Sequence, residues 1–180
     1  FHANWGADVH QDASREQAMT LDAFSTTHPI ILDIKTVEQA NQSFDAISYE
    51  KGESVISMLE GFAGADVWRD GIRRYINAHA YRNTTTNDLW NAVEAAGAKG
   101  LKQIAEDFTT QPGIPLISVG KSACVNGSTV AELVQGQFST DRREQVSARP
   151  LSWRVPVGAV TVRGKPVVTV TNGRTTRIEV

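Results

Sequence analysis

Residues 111–115 read Gln-Pro-Gly-Ile-Pro and separate two stretches of different chemistry. Two prolines and a glycine within this short span end a helix and force the following chain to be extended. Residues 1–111 carry 16 acidic and 9 basic side chains, whereas residues 112–180 carry 4 acidic and 9 basic ones. Valine rises from 5 residues before the boundary to 13 after it, and β-branched side chains favour strands. The sequence therefore predicts two units, residues 1–111 and residues 112–180, which meet at this segment.

The first unit has the apolar spacing of helices. Helical periodicity recurs over residues 13–24, 45–63, 66–80, 86–96 and 99–109. Gly64 and Gly97 follow two of these segments as C-terminal stops. Asp66 is a natural N-cap for the segment after Gly64, and a hydroxyl near Thr86 can cap the next one. Short helices joined by short turns predict an antiparallel helical array.

The second unit has the spacing of strands. Candidate strands cover residues 116–121, 129–138, 152–162, 167–171 and 175–180. Pro156 predicts an edge strand or a bulge. Asn172-Gly173 is the strongest hairpin signal, because both turn positions tolerate a positive φ. We therefore expect an α+β chain whose second unit is all-β and forms part of a sandwich.

Composition excludes several classes of protein. The 180 residues have a formal net charge of −2, which argues against a chain built to bind nucleic acid. A single cysteine, Cys124, cannot form an internal disulfide, and its valine-rich surroundings predict a packed, inert thiol. No apolar run is long enough to cross a membrane, and residues 1–30 lack the layout of a signal peptide.

The histidines do not form a recognisable metal site. His2, His10, His28 and His79 lie outside any H-E-x-x-H pattern, which would place two zinc ligands and a glutamate base on one helix. His2 and His10 are eight residues apart, but no carboxylate completes a set. No phosphate-binding loop and no nucleophile elbow occurs either. The chain by itself carries no complete catalytic constellation.

One segment is unusual for its position, residues 44–52 with the sequence FDAISYEKG. Gly52 lies within a helical pattern, where glycine costs about 1 kcal/mol relative to alanine. Tyr49 is seven residues before Ile56, which puts it at the end of the buried stripe rather than in solvent. Its hydroxyl could donate a hydrogen bond into a cleft, or it could belong to a core tyrosine beside a glycine that admits another helix.

This segment resembles the tyrosine motif of the zinc aminopeptidases of the aminopeptidase N family, the gluzincins. Other stretches resemble the family in the same order along the first unit. They are residues 26–30 (TTHPI), 55–59 (VISML), 71–83 (GIRRYINAHAYRN), 86–90 (TNDLW) and 109–115 (TTQPGIP). Directly before the last stretch, Phe108 stands in place of the usual tryptophan.

The resemblance implies a C-terminal portion of a larger enzyme. The family's zinc ligands and its substrate-amine loop precede the tyrosine motif, and none of them occurs here. The chain would then comprise the helical end of a thermolysin-like catalytic domain and the start of a β-sandwich. It would bind no catalytic zinc and be inactive alone, whereas the parent would bind zinc and hydrolyse N-terminal residues from peptides. The alternative is a non-catalytic protein-binding module descended from such an enzyme.

The resemblance carries over one catalytic residue, Tyr49. Its implied role is to donate its hydroxyl to the oxyanion that forms on the scissile carbonyl, a neutral donor aimed at developing charge. We expect His28 to fix a loop rather than to bind metal, and Glu50 and Lys51 to form a solvated pair. Trp68, Tyr75 and Trp90 have helical spacing and are expected in the core. The partners implied are peptide substrates and the remainder of the same polypeptide.

Overall fold

The computed structural model describes residues 7–141, 151–160 and 166–180, and it is α+β. Its helices are α1 (Ala7–Asp22), α2 (Val37–Gln42), α3 (Gly52–Ala63), α4 (Ala65–His79), α5 (Thr86–Ala96) and α6 (Leu101–Thr110). A π-helical turn, Ile47–Lys51, leads directly into α3. Its strands are β1 (Ile114–Val125), β2 (Ser128–Phe138), β3 (Pro156–Ala159), β4 (Val167–Val170) and β5 (Thr175–Glu179). Within the described residues no helix combines the length and apolar character needed to cross a bilayer.

The helix ends follow local chemistry, with one exception. Gly64 and Gly97 cap the C-termini of α3 and α5, as predicted, with φ angles of 81° and 131°. Helix α5 begins after Thr85, whose backbone N–H donates to Asp88 at 2.7 Å in a capping box. The prediction of Asp66 as an N-cap is wrong, because α4 already begins at Ala65 and its N-cap residue is Gly64. The short helix α2 was not predicted, since none of its residues is buried and it has no apolar stripe.

The core lies between the helices. Its buried cluster contains large apolar side chains from the helices, namely Val55, Leu59, Trp68, Trp90, Val93, Leu101, Ile104 and Phe108, together with Ala98, Ala105 and Trp153. Helices α4 and α5 lie close together at Gly71, where an added Cβ would lie 2.7 Å from Cα of Val93. Burial confirms the prediction for Trp68 and Trp90, whereas Tyr75 is only half-buried.

The strands form two antiparallel sheets, in the order β1-β2-β5 and β3-β4. Asn126-Gly127 makes the hairpin between β1 and β2, with φ angles of 51° and 87°, and Val125 pairs with Ser128. The hairpin predicted at Asn172-Gly173 is wrong, because β4 pairs with β3 whereas β5 pairs with β2. The chain crosses between the two sheets there. Cys124 is exposed, which also corrects the expectation of a packed thiol.

The pairing between β3 and β4 ends at Thr171. Its backbone N–H donates to the carbonyl of Val155 at 2.9 Å, and its hydroxyl accepts from the N–H of Val155 at 3.0 Å. The residue is 1% exposed. Because the hydroxyl replaces the backbone carbonyl as the acceptor for Val155, the regular ladder stops at the Pro156–Val170 pair.

Trp153 connects the β-rich part to the helices. It is 1% exposed and belongs to the buried cluster of the helical part. The amide of Gln135 on β2 holds its backbone, donating to the Trp153 carbonyl and accepting from its N–H, both at 2.7 Å. Next to it, Arg154 forms two contacts with the Asp107 carboxylate of α6, at 2.9 and 3.0 Å. The helices and the strands therefore share one core.

Candidate active site

Tyr49 lies on the π-helical turn, on the side opposite the buried stripe. Ile47, Lys51, Val55 and Leu59 recur every four residues and are all buried. Tyr49 falls between the first two and is 60% exposed, so its expected burial is wrong. The expectation failed because a periodicity count treats lysine as a surface residue, and it therefore assigned the wrong side of the turn to the core. π-helical turns of this kind are frequent at functional sites.

Asp45 anchors the N-terminal end of this turn. Its Oδ1 accepts from the backbone N–H of Ser48 at 2.9 Å, as an N-cap does. Its Oδ2 lies 2.6 Å from Nε2 of His28, and Nδ1 of His28 lies 2.9 Å from the carbonyl oxygen of Pro29. His28 therefore ties its own loop to the turn that carries Tyr49, which is the structural role expected for it.

The two charges of this contact stabilise each other. Partial burial by itself lowers the pKa of His28. The hydrogen bond to the Pro29 carbonyl and the contact with the Asp45 carboxylate together raise it by more, so the pKa is raised above its ordinary value of 6.5. For Asp45, burial by itself raises the pKa, but the Ser48 N–H and His28 together lower it by more, so the pKa is lowered below its ordinary value of 3.8. Both neighbours of the imidazole are acceptors, so only the protonated ring donates to both.

Lys51 anchors the C-terminal end of the turn, and the expectation of a solvated Glu50–Lys51 pair is wrong. Its ammonium lies 2.8 Å from Oδ2 of Asp22, with side chains 5% and 0% exposed. It also donates to the carbonyls of Gln111 and Gly113, both at 3.3 Å. The contact with Asp22 is one of charge, since Oδ2 accepts no directed hydrogen bond.

Asp22 completes the connection from its other oxygen. Its Oδ1 accepts from the N–H of Gly113 at 2.9 Å and from the hydroxyl of Thr27. Gly113 has a φ of +85°, and a Cβ there would lie 2.5 Å from Nε2 of Gln137. The end of α1, the π-helical turn and the start of the β-rich part thus meet at one buried ion pair. The four-residue spacing of Lys51 with Ile47 and Val55 is the sequence signal that could have placed this lysine on the buried side of the turn.

Tyr49 lines a groove of about 630 Å³. Phe44 stacks on the tyrosine ring, with centroids 6.1 Å apart and planes inclined by 30°. The groove also includes Tyr75 and Thr84, whose hydroxyl oxygens are 2.6 Å apart, together with apolar side chains such as Ile30 and Leu89. A largely apolar lining with a few polar groups is typical of ligand-binding sites.

The described side chains offer no place for a zinc ion. No three His, Cys, Asp or Glu residues among them come close enough to hold a metal. His28 has both ring nitrogens against protein oxygens, so it has no lone pair free for a metal. The side chains of His2 and His10 lie outside the described part of the chain. The side chains that the structure describes do not fit a zinc site.

Comparison with known proteins finds relatives over most of the chain. Residues 2–108 match the Peptidase family M1 domain. The chain is 35% identical over 168 residues to the Tricorn protease-interacting factor F2 of Thermoplasma volcanium. It is 37% identical over 134 residues to Probable aminopeptidase 2 of Sulfurisphaera tokodaii, and 36% identical over 157 residues to Aminopeptidase M1-A of Oryza sativa subsp. japonica. These alignments cover 92%, 74% and 87% of this chain but only 20%, 16% and 17% of the relatives, so it spans a fifth of their length or less.

Proposed function

This chain belongs to peptidase family M1, the aminopeptidase N family of zinc metallopeptidases, and we propose that it is one part of an aminopeptidase that hydrolyses N-terminal residues from peptides. The observation that carries the proposal is the placement of Tyr49, exposed at a groove and held on a turn that is anchored at both ends. A catalytic donor needs this combination of access and fixed position.

The chemistry proposed for Tyr49 is stabilisation of negative charge. When a peptide carbonyl is attacked, its oxygen becomes an oxyanion, and a neutral hydroxyl fixed nearby stabilises that charge more than it stabilises the ground state. Zinc in the complete protein would be held by residues outside the described part of this chain. The contribution of the chain itself is the hydroxyl of Tyr49, the groove beside it and the two anchors that fix the turn.

We propose further that residues 1–111 end a thermolysin-like catalytic domain and that residues 112–180 begin a β-sandwich. The family match ends at residue 108, and the first strand begins at Ile114, on either side of the proposed boundary. Two antiparallel sheets in the β-rich part suit a sandwich. On this proposal the chain alone is inactive and binds no catalytic zinc, and its partners are peptide substrates and the rest of its own polypeptide.

The test uses the complete protein that contains this chain. Tyr49→Phe should lower kcat for an aminoacyl p-nitroanilide by about 10²–10³-fold with little change in KM, because the hydroxyl acts mainly in the transition state. Tyr81→Phe is the matched control, since Tyr81 is fully exposed and lines neither the groove nor the turn.

An unchanged kcat in Tyr49→Phe would remove the proposed role of this tyrosine. A complete protein that hydrolyses no aminoacyl substrate, with or without added zinc, would instead support the alternative of a non-catalytic binding module. A degraded H-E-x-x-H motif in the sequence preceding Phe1 of the complete protein would point the same way.

A further inference from the structure

Lys51 shares the π-helical turn with Tyr49, and its ammonium is fixed by three oxygens from two distant parts of the chain. Asp22 Oδ2 belongs to the end of α1, whereas the carbonyls of Gln111 and Gly113 belong to the segment that leads into β1. A cation with three oxygens around it on separate segments has one favourable position. Lys51 therefore fixes where the turn lies relative to both segments.

A buried charge at this place has no obvious benefit for stability. Replacing a buried ion pair by apolar side chains of similar volume is often neutral or stabilising. The positions four residues to either side of Lys51 are occupied by Ile47 and Val55, which fill the same stripe without a charge. What a lysine adds over a methionine is the attraction to Asp22 and two hydrogen bonds to the carbonyls of Gln111 and Gly113. Hydrogen bonds are directional, so they favour one conformation out of several of similar packing.

The relevant feature of the conformation is the register of the π-helical turn, that is, how its side chains are rotated about the helix axis. In an α-helix successive residues are about 100° apart around the axis, so relaxation of a π-helical turn to an α-helix would rotate the preceding side chains by about that angle. Asp45 holds the turn from its N-terminal end and Lys51 from its C-terminal end. Tyr49 lies between these anchors, and its ring packs on that of Phe44.

We propose that Lys51 is a positioning residue for Tyr49, which keeps the π-helical turn in the register that directs the tyrosine hydroxyl into the groove. This inference rests on the function proposed for Tyr49 above. Lys51 does not touch the substrate. It acts through the backbone of the turn, with Asp22 as the charge that holds its ammonium.

The test compares stability with turnover in the complete protein. The variants are Lys51→Met, the charge-neutral pair Asp22→Asn with Lys51→Met, Tyr49→Phe, and Tyr49→Phe combined with Lys51→Met. Misplacing a catalytic group by about 1 Å can cost about a hundredfold in rate. We therefore expect kcat in Lys51→Met to fall by about tenfold to a hundredfold, with KM nearly unchanged.

Two comparisons separate positioning from a merely structural role. In the charge-neutral pair the midpoint of urea unfolding should return most of the way to that of the parent, because no unpaired charge is left in the core, whereas kcat should stay low. In the Tyr49→Phe background, Lys51→Met should lower kcat no further. Lys35→Met, at an exposed ion pair with Asp33, should leave kcat unchanged.

Recovery of kcat together with stability in the charge-neutral pair would overturn the proposal, and so would an additional fall in the Tyr49→Phe background. If Lys51→Met alone fails to fold, the charge-neutral pair decides the question. If Tyr49→Phe keeps full activity, the role proposed for Tyr49 fails and this inference fails with it. If Tyr49→Phe loses activity but the charge-neutral pair does not, only the positioning role is refuted.

Discussion

Substituting Lys51 by methionine isolates the energetic effect of the buried ion pair. The side chains have similar length, so packing along the stripe of Ile47, Val55 and Leu59 is largely kept. The change leaves the Asp22 carboxylate in the core with hydrogen bonds from Thr27 and Gly113 but no neighbouring cation. It also removes the donor from two backbone carbonyls.

The expected loss follows from the burial of the pair, whose side chains are 5% and 0% exposed. Removing one partner of a buried ion pair costs about 3–5 kcal/mol, because the other charge is left in the core without a partner. We therefore expect a loss of about 4 kcal/mol in the free energy of unfolding.

The measurement is urea unfolding followed by tryptophan fluorescence, since three tryptophans lie in the buried cluster. Lys35→Met provides the matched control. The Lys35–Asp33 pair has a similar distance, 2.9 Å, but its side chains are 73% and 82% exposed, so its loss should change the free energy of unfolding by well under 1 kcal/mol. The reasoning is refuted if the two variants lose equal stability.

Two further predictions concern packing and pH. Gly71→Ala should destabilise the chain by about 1–3 kcal/mol in urea unfolding, because its Cβ would meet the backbone of Val93 at 2.7 Å. Gly61→Ala, where no atom lies within 4 Å of the added Cβ, should instead stabilise it by about 0.5–1 kcal/mol, and equal effects would contradict the close approach. Because the pKa of His28 is raised in the folded state, its contribution to stability is fully present below about pH 6.5 and is lost as the pH rises through the folded-state pKa. Because the pKa of Asp45 is lowered in the folded state, its contribution is fully present above about pH 3.8 and is lost as the pH falls through the folded-state pKa. The stability gap between the parent and His28→Gln should therefore be largest between those limits, and a gap that grows above pH 7 would exclude the ionic contact.

Local chemistry predicted the helices and strands because their ends depend on nearby residues. Gly64 and Gly97 end helices as their lack of a Cβ allows, and the prolines near residue 112 mark the change to strands. Pairing between strands was not predictable in this way. Asn126-Gly127 and Asn172-Gly173 are the same dipeptide, yet only the first joins two strands that pair with each other. At the second, the preceding strand β4 pairs with β3 and Thr171 is bonded to Val155, whereas the following strand β5 pairs with β2.

The site was predicted in one part and missed in another. Tyr49 was singled out through a family resemblance, and its catalytic role stays a prediction. Its exposure was misjudged because Lys51 was assigned to the surface. A lysine becomes a core residue only when a carboxylate far away in sequence comes beside it, and no local pattern reports that Asp22 does so. For the same reason nothing in the strand pattern of residues 152–162 indicated that Trp153 belongs to the helical core.

The position of Trp153 has a consequence for how such chains are cut and recombined. The change from helices to strands suggests residue 112 as the place to separate two modules, but a cut there would remove one wall of the helical core together with the Arg154 contact to Asp107. A chimaera made by exchanging the β-rich parts of two relatives would have to exchange the side chains around the tryptophan as well. The two parts therefore cannot be exchanged independently of each other at residue 112.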